Sequence, residues 1–159
     1  MNIKIISGRF GDFSRTRVVV VSARFNELVV KHLTDGAIET LLRYGVSEHH
    51  LLHVTVPGAL EIPLAARQAV ASFQADAVIA VGTVIRGETT HYESVCTESA
   101  AGLSRLSADA GVPVINAILT VETMDQALAR AGGKAGNKGR EAAEVALEMV
   151  DLARQLQNG

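Results

Sequence analysis

The stretch Gly82-Thr-Val-Ile-Arg-Gly-Glu-Thr-Thr-His91 leaves an apolar run and enters a helical pattern. At such a helix start, backbone N–H groups near Gly87–Thr90 point outward with the helix dipole behind them, which suits an anion. The same spacing serves a plain helix cap, since Thr89 or Thr90 can satisfy the first N–H groups, which need partners in every helix. His91 stands at that start, where an imidazole exchanges protons near neutral pH, although a surface histidine fits the position too. His32, His49, His50 and His53 form no pair at metal-ligand spacing with supporting acids. In Pro57-Gly-Ala-Leu-Glu61, Gly58 permits close backbone approach and the Glu61 carboxylate can accept from hydroxyls or amines. A turn followed by a first-turn acid explains those residues as simply. Phe25 either stacks on a flat ring or plugs the core. Arg130, Lys134, Lys138 and Arg140 crowd a glycine-rich stretch. Arginine there can grip a phosphate with two N–H groups, yet charges at a helix junction are usually solvated.

These residues need strand ends to present them. Val18–Val21 is a β-branched run that reads as a buried strand, followed by a polar turn over Ser22–Asn26. A helix is expected from Glu27 to Tyr44, burying Leu28, Val29, His32 or Leu33, Ala37, Ile38, Leu41 and Leu42, with Gly45 as a left-handed cap. Leu51–Val56 reads as the second strand and Leu60–Phe73 as the second helix, with Pro63 tolerated in its first turn. Asp76–Gly82 is the third strand, Thr83–Thr90 a loop and His91–Ala110 a helix. Val112–Leu119 is the fourth strand, with Thr120–Glu122 as the loop behind it. A short helix over Met124–Ala131, a break over Gly132–Gly139 and a helix over Arg140–Gln157 complete the pattern. Strands alternating with helices predict an α/β three-layer sandwich: a four-stranded parallel sheet with helices on both faces and ligands outside the carboxyl ends of the strands. Residues 1–16 are expected as an irregular arm and 17–159 as a single domain. Ile3, Ile5 and Ile6 can form a short strand that adds to a neighbouring subunit's sheet.

Composition narrows the classes. The 159 residues suit one domain, and the net charge of −2 supplies no basic field for nucleic acid. Cys96 is the only cysteine, which rules out an intrachain disulfide and a cysteine zinc cage. That favours a reducing compartment. The first residues contain no apolar stretch of signal-peptide length, and no apolar run is long enough to span a membrane, so a cytoplasmic protein is expected. A dinucleotide site lacks its glycine fingerprint after the first strand, and no nucleophile-elbow serine is present.

Taken in order, Ser22-Ala-Arg-Phe-Asn26, Val56-Pro-Gly-Ala-Leu-Glu-Ile-Pro63, Gly82-Thr-Val-Ile-Arg-Gly-Glu-Thr-Thr-His91 and Arg130-Ala-Gly-Gly-Lys-Ala-Gly-Asn-Lys-Gly139 resemble the lumazine synthase family over about Val18 to Leu156. The resemblance implies a flavodoxin-like fold. It also implies condensation of 5-amino-6-(D-ribitylamino)uracil with 3,4-dihydroxy-2-butanone 4-phosphate, in riboflavin biosynthesis, without metal or organic cofactor. It implies His91 as the proton shuttle. Phe25, Ala59, Leu60, Glu61, Thr83, Val84, Ile85, Asn116 and Lys138 would meet the pyrimidine and ribityl chain. Glu88, Thr89 and Arg130 would meet the phosphate, with Arg130 supplied by a neighbouring subunit. The expected assembly is a homopentamer with sites between adjacent subunits, extendable to a sixty-subunit icosahedral shell, with riboflavin synthase as a partner.

Two positions depart from many relatives. Asn116 stands where a Phe is common, so a ring contact there weakens or becomes a hydrogen bond. Glu88 replaces a small residue, and a carboxylate beside a phosphate is unfavourable, so its side chain is expected to turn away. Asn116 keeps a second function in view, a non-catalytic scaffold holding a lumazine or flavin on the same fold. A response-regulator or flavodoxin-type signalling domain would need acidic strand ends or an FMN phosphate loop after the first strand, and the loop is Ser22-Ala-Arg-Phe-Asn26.

Overall fold

A computed structural model describes all residues, Met1–Gly159. Four parallel strands, β1 (Val18–Ala23), β2 (Leu51–Val56), β3 (Ala77–Ile85) and β4 (Val114–Val121), form one sheet in the order β2-β1-β3-β4. Five α-helices accompany it: α1 (Glu27–Arg43), α2 (Ile62–Phe73), α3 (His91–Ala110), α4 (Met124–Ala129) and α5 (Lys138–Asn158). A small antiparallel hairpin, β5 (Ala131–Gly133) and β6 (Gly136–Asn137), precedes α5. The expected flavodoxin-like sandwich is the one observed. None of the helices is long and apolar enough to cross a membrane.

Strand parity divides the interior. Val18 and Val20 enter the larger core with α1 and α5, whereas Val19 and Val21 enter the other with α2 and α3. Both faces of β1 are therefore buried, and its six residues are all buried. Arg17 holds the strand's start. Its N–H donates to Asp76 Oδ2 at 2.8 Å, its carbonyl accepts from Asp76 N at 2.7 Å, and its Nε donates to the Phe73 carbonyl at 2.7 Å. The guanidinium also lies 4.2 Å from the Phe73 ring centroid.

Several expected boundaries move, each for a local reason. β3 runs three residues beyond Gly82, so Thr83, Val84 and Ile85 are strand and not loop, because β4 offers Leu119, Thr120 and Val121 as parallel partners. β4 accordingly starts at Val114 and takes in Thr120 and Val121, while Pro113 stays outside and only accepts, from Val78 N–H at 2.9 Å. Leu60 lies in a single 3₁₀ turn, Ala59–Glu61, and α2 begins at Ile62. The glycine-rich break is the β5–β6 hairpin, with Gly132 and Gly136 at φ 106° and 83°. α5 starts at Lys138, two residues early, because the Asn137 side chain accepts from Gly139 N and Arg140 N at 2.8 and 3.1 Å. On α1 the buried face is Val29, Val30, Leu33, Ala37 and Leu41, and Leu28 is 62% exposed.

The N-terminal arm forms no strand within the chain. It lies along α5, where Arg9 N donates to Asp151 Oδ2 at 2.8 Å and Gln155 Nε2 to the Ser7 carbonyl at 2.7 Å. Phe13 belongs to the larger core, and buried Thr16 accepts from Arg154 at 2.8 Å. Ile3 and Ile5 remain exposed.

On the open side of β2, the His53 ring shares a 2.7 Å hydrogen bond with the buried Ser22 hydroxyl. Desolvation holds its pKa below the ordinary 6.5, against the opposing pull of Asp35. The neutral ring is the stabilised form in the fold, so this contribution is complete above pH 6.5. It is lost as pH falls from there through the lower folded value. The Tm is therefore expected to fall on acidification from pH 7 toward 5. In His53→Gln that loss should shrink, and parallel Tm–pH curves for the two proteins would assign the loss elsewhere.

Candidate functional site

Three strand ends build one cavity. β1 closes into the 24–26 loop, which is laced to the end of β2: Arg24 N–H donates to the Val56 carbonyl at 2.8 Å and Phe25 N–H to that of Pro57 at 3.2 Å. Asn26 adopts a left-handed conformation, φ 62°, and its Nδ2 donates to the Thr83 carbonyl at 2.8 Å, which draws the loop onto β3. The result is a cavity of about 340 Å³ lined by Phe25, Ala59, Leu60, Glu61, Thr83, Val84, Ile85 and His91, together with Ala23, Asn26, Gly58 and Val95.

The cavity has an apolar wall and few polar groups, the usual composition of a small-molecule site. Phe25 is 67% exposed, so it is not a core plug. Its ring lies so close to Gly58 that a Cβ there would sit 2.8 Å from it and 3.0 Å from Glu61 Oε2. Glycine at this position therefore follows from packing rather than from an unusual φ. Glu61 Oε2 accepts from Gly58 N–H at 2.9 Å, which orients the carboxylate. Thr83 lines the cavity but is itself buried, and its hydroxyl has no hydrogen-bond partner. His91 opens α3 and is exposed, free to meet a reacting group. Glu88 and Thr89 lie exposed on the loop just before it. The only contact there is a long one, 3.4 Å, from His91 N to Thr89 Oγ1, and Thr90 makes no side-chain cap. Beyond that long contact, no hydroxyl cap from Thr90 covers this helix start.

Asn116, Arg130 and Lys138 are not part of that cavity. They line a second one, of about 320 Å³, with Thr120, Glu122 and Gln126 among its other residues. Arg130 and Lys138 are brought together by the hairpin, whose closure includes Lys138 N–H donating to the Arg130 carbonyl at 2.8 Å. Arg130 Nη1 donates to the Gln126 carbonyl at 3.0 Å and has no carboxylate partner, whereas Lys138 pairs with Glu141 at 3.1 Å. Asn116 Oδ1 accepts from Ile118 N–H at 2.9 Å, which leaves the amide N–H₂ as its free end. On the sequence only Arg130 stands apart, as a residue expected from a neighbouring subunit, while Asn116 and Lys138 group with the residues of the first cavity.

Several lining residues were not singled out on the sequence. Asn26 and Val95 complete the first cavity and Gln126 the second. Asn before a helix was the available signal for Asn26, though it suggests a cap rather than a strap onto β3.

The family model described as 6,7-dimethyl-8-ribityllumazine synthase matches residues 15–154. A 6,7-dimethyl-8-ribityllumazine synthase of Halorhodospira halophila is 50% identical over 155 residues, which span 98% of this chain and 99% of that one. One of Protochlamydia amoebophila is 46% identical over 145 residues, 91% of this chain and 84% of that one. With the sheet order, the first cavity at the strand ends and these near full-length matches, this chain belongs to the 6,7-dimethyl-8-ribityllumazine synthase family.

Proposed function

We propose that this chain condenses 5-amino-6-(D-ribitylamino)uracil with 3,4-dihydroxy-2-butanone 4-phosphate to give 6,7-dimethyl-8-ribityllumazine, in riboflavin biosynthesis. The ring amine attacks the ketone, an imine forms with loss of water, phosphate leaves, and closure of the second ring expels another water. The observation that carries the reading is the first cavity, where an aromatic face, an oriented carboxylate and a helix-start histidine converge. Phe25 stacks on the pyrimidine. Glu61 and the backbone of Ala59 and Leu60 hold the ribityl chain, and Thr83, Val84 and Ile85 line the heterocycle. Glu88 and Thr89 receive the phosphate through backbone N–H groups at the start of α3, and His91 moves protons. Most of the acceleration comes from holding two reactive partners together.

The second cavity supports a site shared between subunits. In this arrangement Asn116, Arg130 and Lys138 of one subunit complete the first cavity of the next, around a homopentamer. Exposed large apolar side chains at Phe25, Leu28, Leu60 and Leu64 are consistent with such a covering neighbour. The pentamer extends to an icosahedral shell of sixty, the protein is cytoplasmic, and riboflavin synthase, which uses the product, is its partner.

The test is lumazine absorbance on mixing purified protein with both substrates, against a no-protein control. Turnover above the spontaneous rate is expected, and pyrimidine binding without it would mean a scaffold. His91→Ala is expected to lower kcat by about ten- to a hundredfold without altering assembly measured by light scattering. An unchanged kcat would remove His91 from proton transfer.

A further inference from the structure

Arg86 follows the last residue of β3 and immediately precedes the Gly87–Thr90 loop. Its N–H continues the strand ladder by donating to the Val121 carbonyl at 2.9 Å. Its guanidinium spans three segments. Nη1 reaches Glu93 Oε1 in the first turn of α3 at 2.5 Å, Nε reaches Glu122 Oε2 behind β4 at 2.8 Å, and the group lies 4.4 Å from the Tyr92 ring centroid. The contacts continue past Glu122, whose N–H donates to Gln126 Oε1 at 2.8 Å, and the Gln126 carbonyl accepts from Arg130 at 3.0 Å. One cation is thus connected to both groups assigned to phosphate: the loop at the start of α3 and, through Glu122 and Gln126, the Arg130 guanidinium. With two carboxylates already on it, Arg86 is not itself a phosphate ligand.

We propose that Arg86 is a positioning residue that aims both phosphate-binding groups, the Gly87–Thr90 loop and Arg130, and so sets affinity for the phosphorylated substrate. This rests on the functional reading above. The planar fork of arginine is what allows one side chain to hold Glu93 and Glu122 at once while stacking on Tyr92. Exposed ion pairs add little to stability singly, so the contribution of this cluster lies in geometry, where small misplacements near a reacting group are costly.

The experiment measures KM for each substrate and calorimetric Kd for inorganic phosphate in the full-length protein, for wild type, Arg86→Gln, Arg86→Lys and Glu122→Gln. Arg86→Gln is expected to raise the KM of the butanone phosphate and the phosphate Kd on the order of tenfold, with the KM of the pyrimidine within about twofold. Arg86→Lys restores charge but not the fork, and should stay nearer the glutamine variant than wild type. Glu122→Gln should show a smaller change of the same kind, and it becomes the deciding variant if Arg86→Gln does not fold. Equal changes in both KM values, an unchanged phosphate Kd, or full rescue by lysine would overturn the assignment. A wild type without turnover would instead fail the functional reading, and the phosphate Kd would still decide the role of Arg86.

Discussion

Arg130→Ala is expected to raise the KM for 3,4-dihydroxy-2-butanone 4-phosphate by on the order of a hundredfold, since hydrogen bonds to charged groups contribute about 1.5–3 kcal/mol. The KM for the pyrimidine should barely change. Arg130 is exposed, bonded to a carbonyl of its own helix and without a carboxylate partner, so its charge is available to an anion. Arg130→Lys should recover part of the affinity as a point charge without the fork. Because Arg130 and His91 line different cavities of one chain, the pair also reports on how sites are assembled. Arg130→Ala and His91→Ala subunits, unfolded together and reassembled, should form some sites with both groups intact. The mixture would then exceed the activity of either variant alone. Equal effects of Arg130→Ala on both substrates would contradict the phosphate role, and no gain on mixing would contradict sites shared between subunits.

Gly139→Ala should be among the most damaging single-methyl additions to the fold. A Cβ at Gly139 would fall inside van der Waals contact with the Leu33 carbonyl and 3.1 Å from Asn137 Oδ1. Neither neighbour yields easily, since one is helix backbone and the other caps α5 and also donates to the His32 carbonyl at 3.1 Å. Gly36, facing it from α1, is similarly tight, with Asn137 atoms 2.6 Å from its would-be Cβ. The two helices therefore meet backbone against backbone, and a methyl group must push them apart. Destabilisation of about 3 kcal/mol or more is expected, at the upper end of overpacking costs, read as a lower urea midpoint. Gly11→Ala adds a methyl group with nothing within 4 Å and is the matched control. Equal midpoints for the two variants would mean that α1 and α5 can separate freely.

The strands and helices with strong pattern were legible from residues alone. Leu51–Val56 and His91–Ala110 are observed with the expected bounds because β-branched alternation in one case, and long three-four periodicity in the other, agree with the final packing. The end of β3 was not legible, since Thr83-Val-Ile85 reads as strand or loop until a partner strand is known. The hairpin was hidden for a similar reason: strands of three and two residues, mostly glycine, carry no periodicity. Of the site, the residues themselves were visible as strand-end motifs. Their division into two cavities was legible only for Arg130, through the family resemblance, because the spacing along a chain does not say on which side of the sheet a return loop arrives. Leu28 shows the same limit, counted toward a buried face by its type and left at the surface in the first turn of α1.

Four consecutive valines make up most of β1, and this has a consequence for how the chain finds its register. A slip of one residue exchanges valine for valine on both faces of Val18–Val21, so burial alone barely distinguishes the native alignment from its neighbour. The distinguishing information lies at the strand's two ends, in the reciprocal pair of hydrogen bonds between Arg17 and Asp76 and in Ser22, whose hydroxyl finds His53 only in one alignment. The most uniform segment of the sheet is thus aligned by polar groups outside it. Arg17 and Asp76 act as the index mark against which an otherwise featureless ruler is read.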